Sequence, residues 1–77
     1  MKITGKQLRM ARVSLKLRVD DLSKHTNVSW ALIQRMERDD ELIDNHKIEE
    51  IVNFFKKKNI EFYESDENFE PFIKVKK

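Results

Sequence analysis

The sequence predicts a mostly α-helical fold: four short helices over residues 1–58, then a short C-terminal β-strand pair or hairpin over residues 59–77. Three observations carry this. One glycine, Gly5, and one proline, Pro71, are the only strong breakers in 77 residues, which favours helices joined by short turns. Up to Phe55 the apolar residues recur at spacings of three and four, the mark of one helical face. From Ile60 onward apolar and charged residues alternate instead, which favours strands.

Thr4 is a good N-cap, and Gln7 three residues later completes a capping-box pattern. Leu8, Ala11 and Leu15 form the inward stripe of a first helix over about 5–15. Asp20 and Asp21 suit a first turn, where the helix dipole favours anions, so a second helix covers about 19–25 with Leu22 inward. Thr26-Asn27-Val28 breaks the pattern, and Asn27 is the residue there that best tolerates a left-handed backbone. Ser29 caps a third helix, about 29–38, whose inward residues are Ile33 and Met36. Asp39 to Ile43 reads as a loop. Asp44 or Asn45 caps a fourth helix over about 45–58, where Ile48, Ile51, Val52 and Phe55 sit at i, i+3, i+4 and i+7. Lys56, Lys57 and Lys58 complement the dipole at its end. Residues 60–64 and 72–76 alternate as strands, with a polar, acidic connection between them. The second strand pairs either with the first or with another chain.

At 9.3 kDa the chain holds one domain at most, too small for an enzyme with a large cleft. Folding a chain of this size buries only about 60% of its unfolded surface, so oligomerisation would help its thin core. Apolar residues make up 39% and the net charge is only +2, which excludes a disordered chain. No apolar run reaches the about 18 residues of a membrane span. No basic-then-apolar leader opens the chain, so a cytoplasmic location is expected. The absence of cysteine excludes a disulfide scaffold and a thiolate metal site. His25 and His46 fall on different elements without neighbours at ligand spacing, and the acidic clusters lack calcium-loop spacing, so no metal is expected. Neither a nucleophile–base pair nor a Gly-rich phosphate loop is present; an enzyme, a cofactor and a small-molecule ligand are not expected.

Charge is distributed unevenly. Residues 1–18 carry six basic residues and no acid; residues 59–70 carry five acids and no base. The basic block is either a phosphate-facing surface or a solvated helix face.

The second and third helices are joined by a three-residue turn, with Leu22, Val28, Ile33 and Met36 inward. This is the spacing of a helix-turn-helix, whose second helix lies in the major groove, although generic helical hairpins share part of it. A longer pattern is more specific. Thr4-Gly5-Lys6-Gln7-Leu8-Arg9-Met10-Ala11-Arg12, then Leu15, Leu17 and Leu22, then Val28-Ser29-Trp30-Ala31-Leu32-Ile33-Gln34-Arg35-Met36-Glu37, resembles the DNA-binding domain of the lambda-repressor/Cro/Xre family. The chain looks most like short single-domain bacterial members that end in a segment such as Ile60-Glu61-Phe62, and the resemblance covers roughly residues 3–64.

That resemblance implies a compact four-helix lambda-repressor-like domain. It implies a sequence-specific, repressor-like transcriptional regulator of bacterial or phage origin, often a dimer on a two-fold symmetric operator. It also implies that Arg12 and Glu37 form a structural ion pair, and that Ser29, Trp30, Ala31, Gln34 and Arg35 occupy exposed base-contacting positions. The sequence departs from the family pattern in four places. Val19 replaces the usual Gln at the start of the second helix, leaving only a backbone N–H for a phosphate. Ser23 stands for the usual Ala, and Asn27 for the usual turn Gly. Asp39-Asp40-Glu41 replaces a loop that is often basic or neutral.

Residue chemistry adds detail. Arg35 suits a guanine through two hydrogen bonds or a phosphate, and Gln34 an adenine or the backbone. Trp30 either presses on a thymine methyl or sugar or packs as a core residue. Lys6, Gln7, Arg9, Val19 and Arg38 are the expected backbone contacts. Phe62, Tyr63, Phe72, Ile73 and Val75 remain after the helical core is filled, and alternating strand edges pair readily, so they form the expected homodimer interface. Double-stranded DNA is the expected partner. The alternative is a protein-interaction module on the same fold, an anti-repressor or antitoxin-like partner, motivated by the near-neutral balance and the acidic loop.

Overall fold

Short side-chain caps decide where each helix begins. Thr4 is extended, its Oγ1 accepts the Gln7 N–H at 3.1 Å, and Gln7 Oε1 accepts the Thr4 N–H at 2.8 Å. This reciprocal cap opens α1 (Gly5–Ser14) in the computed structural model, which describes residues 3–39, 42 and 45–76. Beyond α1, Lys16 turns into the left-handed region at φ 57°. The Arg18 N–H then donates to Asp21 Oδ2 at 2.9 Å and opens α2 (Val19–Thr26). Asn27, also at φ 57°, ends it. Ser29 caps α3 (Trp30–Met36), which is shorter than expected because Ser29 is its cap and Glu37 closes it. Asn45 Oδ1 accepts from the Lys47 and Ile48 N–H groups and opens α4 (His46–Lys57). Asp44, the other candidate cap, lies outside the described residues, as do Asp40, Glu41 and Ile43 of the expected loop.

Asn59, at φ 66°, reverses the chain into β1 (Ile60–Tyr63), which pairs antiparallel with β2 (Phe72–Val75). The register runs from Ile60 opposite Val75 to Tyr63 opposite Phe72. The second strand therefore pairs within the chain. An isolated hairpin is marginal in water, so this one must lie on something. Ile60 and Phe62 are buried against α4, with the Phe62 ring 5.8 Å from Phe55, and Ile73 packs on the same core.

Burial removes Phe62 from the expected dimer interface. Phe62 is core, Ile73 covers core, and Tyr63 stacks on Phe72 with ring centroids 4.9 Å apart. Of the five residues only Val75 is largely exposed, at 57%. On the outer face Glu61 accepts from Lys76 and from the Tyr63 hydroxyl, both at 2.7 Å. These bonds, Lys76's first, hold the Glu61 carboxyl below its usual range.

The core joins Leu8 and Ala11 of α1, Leu22 of α2, Ile33 and Met36 of α3, and Ile48, Ile51 and Phe55 of α4. Ile3 and Leu42 are buried with it and form an isolated antiparallel bridge, the Leu42 N–H donating to the Ile3 carbonyl at 2.8 Å. Two close approaches lock α1 in place. Gly5 donates its N–H to the Asp39 carbonyl at 2.9 Å, and a Cβ there would collide with the Met36 carbonyl oxygen and lie 2.7 Å from that of Asp39. Gln7 is fully buried, and its Nε2 donates to the carbonyls of Tyr63 at 2.7 Å and Phe72 at 2.9 Å. One side chain thus caps α1 and anchors the hairpin.

Gly5→Ala is expected to destabilise by at least about 1–3 kcal/mol, because both colliding groups are backbone. Gln7→Ala should cost about 1–3 kcal/mol by removing buried hydrogen bonds. Urea unfolding checks both; a wild-type midpoint for either variant would contradict this packing.

Candidate nucleic-acid interface

The α2–α3 pair is set by local bonds. Asn27 supplies the left-handed turn, Ser23 Oγ donates to the Val28 carbonyl at 2.7 Å, and Lys47 Nζ of α4 donates to the Asn27 carbonyl at 3.2 Å. Val28 is buried, so the turn is pinned from inside. Ile33 and Met36 then fix the rotation of α3 by facing the core. The opposite face presents Trp30, Ala31, Gln34 and Arg35, all exposed. Ser29 is exposed too, but its Oγ accepts the Leu32 N–H at 3.2 Å as the helix cap. Trp30 is 49% exposed, which decides against a core role.

Arg12 binds α1 to the end of α3. Its Nε donates to Glu37 Oε2 at 2.6 Å and its Nη2 to Oε1 at 2.9 Å, a two-pronged pair. Its Nη1 donates to the Leu17 carbonyl at 2.9 Å, taking in the α1–α2 turn. The side chains keep only 15% and 10% of their exposure. The bond to Glu37 raises the Arg12 pKa further, although burial opposes it, so the guanidinium stays charged.

Around this pair lies a groove of about 350 Å³ lined by Arg9, Arg12, Val19, Gln34, Glu37 and Arg38. A second groove, of about 310 Å³, adjoins it through Glu37 and Arg38 and reaches Lys6, Asp39, Glu70 and Pro71. The fold therefore gathers Lys6, Arg9, Val19, Gln34 and Arg38 along one surface. Arg35 stands apart, lining a groove of about 210 Å³ with Leu32, Asp39, Asn45 and Ile48. Gln7 does not belong to this surface: the expected backbone contact is spent on the hairpin carbonyls in the interior.

Three neighbours of the site, Leu17, Glu70 and Pro71, carry no signal of that role in the sequence. The Leu17 carbonyl on Arg12 depends on how the turn closes, which no side-chain pattern encodes. Glu70 and Pro71 reach Lys6 and Arg38 only because the hairpin folds back. Among the described residues no cluster of three or more His, Cys, Asp or Glu side chains is placed to hold a metal ion, and no helix is long and apolar enough to cross a membrane. No family model, no curated protein and no solved structure matches the chain.

Breaking the Arg12–Glu37 pair by Arg12→Met or Glu37→Gln is expected to cost about 2–4 kcal/mol, since the partner is left partly buried without its counter-charge. A double-mutant cycle measures the coupling. Additive effects would show that the two side chains do not depend on each other.

Proposed function

We propose that the protein is a sequence-specific DNA-binding regulator of the lambda-repressor type, with α3 inserted in the major groove. The single observation that carries this is the exposed face of α3, Trp30, Ala31, Gln34 and Arg35, beside a groove that collects Arg9 and Arg38. The core fixes that face, so its side chains are presented without reorganisation. Arg35 and Gln34 suit purine edges, Arg for guanine and Gln for adenine. Arg9, Arg38 and Lys6 suit phosphates on either side, and the Val19 N–H at the start of α2 adds a neutral donor.

Selection from random duplexes at low salt is expected to enrich one site. Arg35→Ala should weaken binding to that site by about 1–3 kcal/mol and relax one base position. Lys6→Ala or Arg38→Ala should weaken all duplexes alike and reduce the salt slope by about one. An unenriched pool would end this proposal and favour the protein-interaction alternative, to which Asp39 and Glu70 beside Lys6 and Arg38 lend support.

A two-fold site needs two copies, with recognition helices about 34 Å apart. We assign the contact between copies to the outer edge of β2 and the exposed Val75 and Phe69, since Phe62 is taken up by the core. Light scattering of the full chain at tens of micromolar is expected to give the dimer mass. A monomer mass with and without the selected duplex would rule the assembly out.

A further inference from the structure

The exposed face of α3 has two chemically different ends. Gln34 and Arg35 are polar and lie toward its C-terminus. At its start stand Trp30 and Ala31, and no basic residue occurs from Asn27 to Gln34. Ser29 Oγ is held by the helix cap. The exposed side chains of the first turn of α3 are thus the apolar Trp30 and Ala31, and the nearby Lys47 ammonium is engaged by the Asn27 carbonyl. Trp30 keeps 49% exposure, whereas Val28 and Ile33 on either side of it in the chain are buried in the core. A large aromatic side chain left in water at this place calls for an apolar partner.

The major groove has one apolar feature, the C5 methyl of a pyrimidine. We propose that Trp30 is a specificity-determining residue that reads a pyrimidine 5-methyl group, with Ala31 beside it leaving room for the base edge. The inference rests on the DNA-binding reading above. Gln34 lies one helical turn from Trp30, about 6 Å along the axis at 1.5 Å per residue. With base pairs stacked about 3.4 Å apart, the methyl is expected within about two base steps of the purine that Gln34 contacts, and closer the more α3 inclines to the duplex axis. Thymine is the ordinary source of the methyl, and 5-methylcytosine presents the same group at the same place.

The test uses the full chain and the duplex recovered by selection. Each thymine is replaced in turn by uracil, which removes only the methyl. One replacement is expected to weaken wild-type binding about fourfold, the worth of one CH₂-sized group withdrawn from water. The same replacement should leave Trp30→Ala unaffected, while Trp30→Phe should retain part of the sensitivity. Changing that base pair to cytosine should weaken binding, and 5-methylcytosine at the same position should recover it. Thermal unfolding of Trp30→Ala at the wild-type temperature shows that the exposed position does not support the core. Uracil duplexes all bound as tightly as the parent would overturn the role of Trp30 while leaving DNA binding intact. Equal uracil sensitivity in wild type and Trp30→Ala would do the same. Recovery of no site at all would overturn both readings together.

Discussion

Arg12 directs its three nitrogens to two places, the Glu37 carboxylate at the end of α3 and the Leu17 carbonyl between α1 and α2. A planar, permanently charged guanidinium can hold such a geometry where an ammonium cannot, because its donors are fixed in one plane. The pair is placed at the edge of the core, so it is shielded enough to be strong and not so deep that desolvation outweighs the attraction. The groove with Arg9, Val19, Gln34 and Arg38 on its walls exists because this joint holds its sides at a set distance.

The rest of the small domain economises in the same way. Gln7 completes the α1 cap with its oxygen and anchors the hairpin with its nitrogen, so one amide joins residues more than fifty positions apart. Gly5 lets α1 approach the end of α3 at backbone contact. Without these contacts the hairpin would have only its inner apolar face to hold it, and two strands alone are marginal. The outer face is organised by polar and aromatic pairs: Lys76 with Glu61, Glu61 with Tyr63, and Lys74 over the Tyr63 ring. Such exposed contacts order the surface more than they stabilise it.

The charge pattern also takes its meaning from the fold. A net charge of +2 understates the cationic face, because Lys6, Arg9 and Arg12 of the basic N-terminal block lie on α1 and join Arg38, while many acids are carried on the hairpin and its connection. Glu70 beside Lys6 limits that face on one side, and Asp39 does so near Arg35. For the proposed DNA complex this means that binding would rest on a narrow basic strip and on the base contacts of α3, with less contribution from overall charge.

Four helices, the caps at Thr4 and Ser29, the α4 cap to within Asp44 or Asn45, the left-handed turn at Asn27 and the two strands were legible in the sequence. Each depends on residues within one or two turns of one another, and local steric and hydrogen-bonding preferences act at that range. The inward residues of the α2–α3 unit were legible for the same reason. Gln7 was misplaced on the surface because its cap role is local and visible, whereas its hairpin bonds depend on a strand that returns from the far end of the chain. Phe62 and Val75 are both apolar residues in alternating segments, and the register puts them on one face of the hairpin; only the way that face meets the core buries the first and leaves the second exposed. The bridge between Ile3 and Leu42, the groove shared by Arg9 and Arg38, and the separation of Arg35 from it likewise belong to the tertiary structure. Periodicity says that a side chain faces inward or outward from its own element, and which other element it meets is decided by packing the whole core at once.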